Sequence, residues 1–266
     1  MLNEVAEMTK PRSYQTEAIV IKKVKLGEAD RILSLYTPHL GKIRVVAKGV
    51  RRPRSKMAGH LELLTHSLVP LARGRNLDTV TGSQTIDSFL PLKSDLQLTS
   101  YALYAVELID LFTADNDENY PLFQLLLETM HNLCQGNNNE IIMRYFELHL
   151  LNLVGYRPQL GHCVSCHSTL KATTNSFSPS AGGVLCPRCS QSQFYAYSLS
   201  VDALKVLRFL QDSDYDTCSR LKISPELSQE IEGVMRNYLK YLLEREVKSA
   251  AWLDSLRGQA RQTALL

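Results

Sequence analysis

Four cysteines carry the clearest chemistry in this 266-residue chain: Cys163-Val-Ser-Cys166, then nineteen residues, then Cys186-Pro-Arg-Cys189. Two Cys-x-x-Cys pairs at that separation suit a tetrahedral thiolate zinc site. Each pair fits a tight turn that aims two sulfurs at one face of an ion, and the intervening loop returns the second pair to the opposite face. Four thiolates complete the shell and leave no position for a reacting water, so the expected ion is one structural Zn²⁺ per chain. The competing readings are two disulfides or four unrelated thiols. There is no apolar signal-peptide core near Met1 and no run of eighteen apolar residues. The expectation is a soluble cytosolic chain without membrane partners, where disulfides are rare. His162 and His167 flank the first pair and read as solvated neighbours. Cys134 and Cys218 stand alone in helical patterns and read as small buried hydrophobes.

Charge divides the chain. Residues 1–90 hold 15 Lys/Arg and 8 Asp/Glu, whereas the remainder holds 15 and 19. An excess of seven cations at one end of a chain whose net charge is +3 points to an N-terminal part that meets a polyanion. From Lys42 to Lys56 there are seven cations (Lys42, Arg44, Lys48, Arg51, Arg52, Arg54, Lys56) and no acid. Arg73 and Arg75 add a second pair. Such a run can track a phosphate backbone, with affinity that falls steeply with salt. The competing reading is a solvated loop kept for solubility. Aromatic residues are few there (Tyr14, Tyr36, Phe89), so backbone contact rather than base stacking is expected, on single- and double-stranded DNA alike.

These groups need elements to position them. Tyr14–Val24, Arg31–Thr37, a third strand from Gly41, Leu61–Leu71 and Leu77–Ile86 read as five short strands. In the third, Ile43, Val45 and Ala47 share one face, and Lys42, Arg44, Val46 and Lys48 form a mostly cationic other face. Gly49 and Pro53 make the stretch after this strand a loop. Five strands in under a hundred residues suit an oligonucleotide-binding (OB) barrel, and an SH3-like barrel fits nearly as well. The chain turns helical between Phe89 and Ser94. Ser94 with Gln97 resembles a capping box. Further helices are expected from Asn119 with Pro121, from Asn139 to Gly155, over Ser200–Leu210, over Ser224–Leu243 and around Trp252, with Gln135 to Asn139 a polar loop. The fold class is α+β: an N-terminal five-stranded OB-fold barrel (1–90), a mostly helical domain (91–159 and 196–266) and a four-cysteine zinc module (160–195) inserted in it.

No P-loop, His-Glu-x-x-His or Gly-x-Ser-x-Gly motif occurs. Glu28 with Asp30, and Glu244 with Glu246, read as surface charges. Nothing specifies bond-making chemistry, so no catalytic residue and no enzyme is expected.

Leu26-Gly27-Glu28-Ala29-Asp30-Arg31, Tyr36-Thr37, Gly41-Lys42 and Ala47-Lys48-Gly49-Val50-Arg51-Arg52-Pro53-Arg54-Ser55 together resemble the N-terminus of the bacterial DNA repair protein RecO family. So does Leu153-Val154-Gly155-Tyr156-Arg157-Pro158-Gln159-Leu160 directly before the first cysteine pair. The resemblance implies a recombination mediator of the bacterial cytoplasm and nucleoid. Such a protein binds DNA, anneals complementary strands, engages the C-terminal tail of single-strand-binding protein, and acts with RecR (and RecF) to load RecA. By position, Lys48, Arg51, Arg52 and Arg54 match the family's basic loop, and Cys163, Cys166, Cys186 and Cys189 match its zinc ligands. Val50 stands where a small alanine is common, a change expected to matter little. The alternative outside this family is a zinc-stabilised RNA-binding or ribosome-associated module, whose charge asymmetry would look the same.

Overall fold

The structure is a computed structural model that describes residues 12–136, 138–193 and 195–263. The polar loop expected over 135–139 contains Asn137, which lies outside them. Two compact units emerge: residues up to Ser88 together with Ala114–Tyr120, and Phe89–Thr113 with Pro121 onward. Among the described residues, no helix is long and apolar enough to cross a membrane.

The first unit is a barrel. Strands β1 (Ser13–Leu26), β2 (Asp30–Thr37) and β3 (Gly41–Ala47) form an antiparallel meander. Strand β5 (Asp78–Val80) runs parallel to β3 and antiparallel to β4 (His66–Ala72), and β4 closes back on β1. Strand β6 (Gln84–Asp87) adds to β4. The long β1 serves two partners, β4 through its first half and β2 through its second. The register shift between Val20 and Lys22 supplies the bend between them. This order is that of an OB barrel. Among the described residues the barrel has six strands rather than five, because the segment expected as one strand over Leu77–Ile86 breaks around Gly82. The strand expected from Leu61 starts only at His66, after a 3-10 turn over Gly59–Leu61. Alternate residues fill the core: Ala18, Val20, Leu33, Leu35, Ile43, Val45, Ala47, Val69 and Leu71. The loop residue Val50 joins them, 2% exposed.

The second unit is helical. A short α1 (Leu90–Ser94) precedes α2 (Leu96–Phe112), α3 (Tyr120–Cys134) and α4 (Asn139–Leu153). The capping box expected at Ser94 is displaced by one residue. Asp95 is the cap, accepting from the Leu98 N–H at 2.9 Å, while Ser94 closes α1 by donating to the Leu90 carbonyl. Helix α4 is buried on most sides and places Arg144 and Glu147 inside the unit. Arg144 Nη2 and the Tyr104 hydroxyl both donate to Glu147 Oε1 at 2.7 Å. Removing one partner of such a buried pair costs about 3–5 kcal/mol.

After α4 the chain builds a three-stranded sheet from β7 (Asn175–Ser178), β8 (Gly183–Leu185) and β9 (Tyr197–Leu199), with β7 central and a short α5 (Pro187–Ser190) after β8. Helices α6 (Val201–Asp212), α7 (Tyr215–Ser219), α8 (Pro225–Leu243) and α9 (Lys248–Thr263) complete the unit. Ser200 and Ser224 cap α6 and α8 through their hydroxyls. Glu107 on α2 receives the first N–H groups of α9, from Lys248 and Ser249. Cys218 is fully buried as expected, whereas Cys134 is only half-buried.

Candidate metal centre and nucleic-acid interface

The cysteine turns are built by backbone hydrogen bonds. In the first, the Cys163 N–H donates to the Ser168 carbonyl and the His167 N–H to the Cys163 carbonyl, each at 2.9 Å. His167 takes a left-handed φ of 58° there, and neither His162 nor His167 is buried. The second pair brackets the start of α5, where the Ser190 N–H donates to the Cys186 carbonyl. The segment before the first pair holds the two turns together. Gln159 exchanges bonds with Gly182 and Val184, and the Val164 N–H donates to the Val184 carbonyl. Gly183 is required at this crossing, since a Cβ would lie 2.4 Å from the Gln159 oxygen. Gly155, at φ 84°, ends α4, and the Gln211 and Arg208 side chains bond the Pro158 and Leu160 carbonyls. The Gly-Tyr-x-Pro-x-Leu run is thus a mount for the first turn.

All four sulfurs lie within 4.8 Å of one another, and Cys166 Sγ is 3.8 Å from Cys186 Sγ. Tetrahedral zinc with Zn–S bonds of about 2.3 Å places its sulfurs about 3.8 Å apart, so the donor set fits that ion. The Cys186 N–H points at Cys163 Sγ (3.4 Å), a bond that favours thiolate. The thiols themselves call for a cation. Hydrogen bonds from Ser168 bring Cys166 down to about 6. At Cys163 burial acts upward, but the N–H groups of Cys166, Cys186 and Ser165 prevail and lower it. Cys189 is pushed up to about 11: a Ser165 hydrogen bond pulls it down, but Cys186 and Cys166 outweigh that. Sulfurs this close cannot all ionise without a positive charge between them.

The basic loop is anchored to the β1–β2 turn. Gly49, at φ 64°, donates its N–H to Asp30 Oδ1 at 2.7 Å. The Arg51 N–H donates to the Ala29 carbonyl (2.9 Å) and Arg51 Nη1 to the Gly27 carbonyl (3.1 Å). Two further turns close inside the loop, Arg52 N–H to Gly49 and Ser55 N–H to Arg52. Buried Val50 pins its base to the core. Lys48, Arg51, Arg52, Arg54 and Lys56 are all exposed around it. Asp30, read from sequence as a surface charge, is therefore the support of the cationic loop, and the two resembling runs are two halves of one structure.

The face of β3 corrects the sequence reading. Ile43, Val45 and Ala47 point to the core as expected and Arg44 and Lys48 are exposed, but Lys42 is buried rather than open to solvent. Ala114–Tyr120, between α2 and α3, lies on it. The Asn116 N–H donates to the Lys42 carbonyl (2.8 Å), and Gly41 leaves no room for a Cβ beside Asp117. Asp115 sits 2.9 Å from Arg44 Nε and 3.8 Å from Lys42 Nζ. Across the sheet, Val24, Ile32 and Val46 form an apolar row beside Lys22, Ser34 and Arg44. Arg73 and Arg75 lie in the β4–β5 turn and are exposed, with the Arg73 guanidinium 4.8 Å over the Tyr14 ring. Arg44, Arg73, Asn76, Asp78 and Asp115 share a cleft of about 390 Å³. Sequence reasoning missed Asp115 because an acid so far beyond the barrel strands carries no signal of where its loop returns.

Comparison with known proteins agrees with this geometry. The family model described as "Recombination protein O N terminal" matches residues 8–89, and "Recombination protein O C terminal" matches residues 93–251. A "DNA repair protein RecO" of Dehalococcoides mccartyi (strain CBDB1) is 48% identical over 250 residues, covering 94% of this chain and 98% of the relative. Proteins of the same description from Roseiflexus sp. (strain RS-1) and Symbiobacterium thermophilum are 44% and 36% identical, over 95% and 92% of this chain and 89% and 98% of their own lengths. The reading as an RNA-binding or ribosome-associated module gains nothing from these matches. With both halves matched and the relatives aligned over nearly their whole length, the chain belongs to the RecO family of DNA repair proteins.

Proposed function

We propose that this chain is a recombination mediator. It binds single- and double-stranded DNA through the barrel, anneals complementary strands, and with RecR helps load RecA onto DNA coated by single-strand-binding protein. The observation that carries the reading is the acid-free loop Gly49–Lys56, whose backbone is tied down while its cations face solvent. Lys48, Arg51, Arg52, Arg54 and Lys56 make the principal phosphate contacts. Arg44, Arg73 and Arg75 extend the surface, and Lys42 contributes from beneath. Cations between two strands screen their mutual repulsion, so pairing becomes faster without any bond-making residue. Cys163, Cys166, Cys186 and Cys189 would hold one Zn²⁺, which supplies a closed, structural clip and no reactive position. The tail of single-strand-binding protein, RecR, RecF and RecA are the partners, and the working place is the nucleoid of the bacterial cytoplasm.

The test is annealing of complementary strands, naked and coated with single-strand-binding protein, with and without RecR. Replacing Arg51, Arg52 and Arg54 with alanine should slow annealing and flatten the salt dependence by up to about 2 in slope, at about 0.7 per lost single-strand phosphate contact. Annealing that is unchanged in the triple variant refutes the assignment.

A further inference from the structure

The barrel offers charge but little to stack a base on. Tyr36 is fully buried, and the half-buried Tyr14 is covered by Arg73 and donates its hydroxyl to Asp78 at 2.6 Å. Proteins that hold single strands without sequence preference combine a cationic track with exposed aromatic faces. Tyr120, 44% exposed, is already stacked on His39 at 5.5 Å, and the exposed rings that share one cleft lie in the helical unit. Tyr195, Tyr197 and Tyr241 are 81%, 40% and 51% exposed and line one cleft of about 360 Å³ with Pro179, Ser180 and Lys240. Tyr197 opens β9 and Tyr195 precedes it by two residues. Tyr241 stands in the last turn of α8, on one face with Asn237 and Lys240 at helical spacing.

Three rings left in water around one mainly apolar cleft mark a surface with an occupant. Charge indicates which. From Leu148 to Val201 the chain holds Arg157, Lys171 and Arg188 and not one Asp or Glu, although the chain beyond residue 90 is net acidic. All three strands of the sheet beside the cleft, and Tyr195 and Tyr197 themselves, come from this acid-free stretch. Lys240 stands at the edge, paired with Glu246, a contact a phosphate can replace. A ligand with flat π faces and negative charge, and whose faces are open, is a single-stranded nucleic acid; duplex DNA buries the faces this cleft would hold. Aromatic grooves also take proline-rich peptides, but those gain nothing from the acid-free stretch that supplies the sheet and two of the rings.

We propose that Tyr195, Tyr197 and Tyr241 form a base-stacking site for single-stranded DNA on the helical unit, separate from the phosphate contacts of the barrel loop. The proposal rests on the DNA-binding reading above. It divides the labour of annealing, with one surface holding backbone and the other holding bases.

The test uses the full chain and fluorescence anisotropy on three ligands of equal length: oligo-dT, an abasic strand and a duplex. Tyr195→Ala with Tyr241→Ala should weaken oligo-dT binding about tenfold or more, at the usual contribution of a base–aromatic stack. Binding of the abasic strand and duplex should stay at wild-type levels, with an unchanged salt slope. Tyr195→Phe with Tyr241→Phe should retain wild-type affinity, because the ring and not the hydroxyl is used. Should the double alanine variant fold poorly, Tyr195→Ala alone carries the test, since its ring is largely in solvent. Oligo-dT binding equal to wild type in the alanine variants overturns the site, as does an equal loss on all three ligands. Ring-dependent binding of a proline-rich peptide with DNA binding intact overturns it in favour of a peptide groove. The arginine loop variant keeps the two readings apart: if it alone loses affinity, the loop stands and the platform falls, and if only the tyrosine variants lose affinity, the reverse holds.

Discussion

Replacing Asp30 with alanine removes a negative charge beside the surface proposed to meet DNA, and charge counting alone predicts tighter DNA binding. The structure predicts weaker binding. The Asp30 carboxylate accepts the Gly49 N–H at 2.7 Å and so fixes the entry to the basic loop. A hydrogen bond to a charged acceptor contributes about 1.5–3 kcal/mol. Part of the anchorage survives in the substituted protein, since Arg51 still bonds Ala29 and Gly27, and Val50 remains in the core. Against the loss stands the relief of repulsion. One charge about 8 Å from a bound phosphate is worth about 0.5 kcal/mol in water and less with salt. The net expectation is binding about three- to tenfold weaker, a cost of about 0.6–1.4 kcal/mol, because the loop must now be ordered at the moment of binding. No cation is lost, so the salt slope stays the same. Anisotropy titrations at several salt concentrations measure both quantities, and amide hydrogen exchange at Gly49 reports the anchor. Tighter binding, or unchanged affinity with Gly49 exposed to exchange, refutes the argument that Asp30 preorganises the loop.

Asp115→Asn should free Arg44 for phosphate, raising affinity about two- to fivefold and steepening the salt slope by about 0.7; an unchanged slope places Arg44 outside the interface. Elemental analysis should find one zinc per chain, and chelation or Cys166→Ser should raise hydrogen exchange across residues 160–199 while duplex binding by the barrel persists. Metal-free protein with that stretch equally protected would show that the cysteines need no ion.

Much of the barrel was legible because one face of each strand is buried and period-two alternation records it: Ile43, Val45 and Ala47 could only point inward. The four cysteines were legible because ligand spacing is a local constraint. What escaped was set by tertiary return. Lys42 reads as one more outward cation of β3, but Ala114–Tyr120 comes back onto it, and no local pattern announces that. Asp30 and Gly49 lie nineteen residues apart, and only their hydrogen bond reveals that an apparently idle acid supports a cationic loop. Val50 likewise reads as a loop residue and turns out to be core. The broken strand at Gly82 and the cap at Asp95 rather than Ser94 are shifts of a few residues, where neighbouring polar side chains compete to end an element.

In the proposed reading, annealing asks for binding that is firm in charge and loose in geometry. A protein that read base edges would commit each strand to one register, and pairing would then have to break those contacts. The loop avoids this. Its backbone is fixed by the bonds of Gly49, Arg51, Arg52 and Ser55, so little chain entropy is lost when DNA arrives. Apart from Arg51, whose guanidinium bonds the Gly27 carbonyl, its cations extend into solvent on long side chains and can exchange one phosphate for the next. Asp115, 2.9 Å from Arg44, keeps the neighbouring strand face less positive than the loop, which concentrates the attraction on the exposed loop side chains. The placement of acids around the barrel, one supporting the loop and one quieting the strand, therefore matters as much to the proposed activity as the arginines themselves.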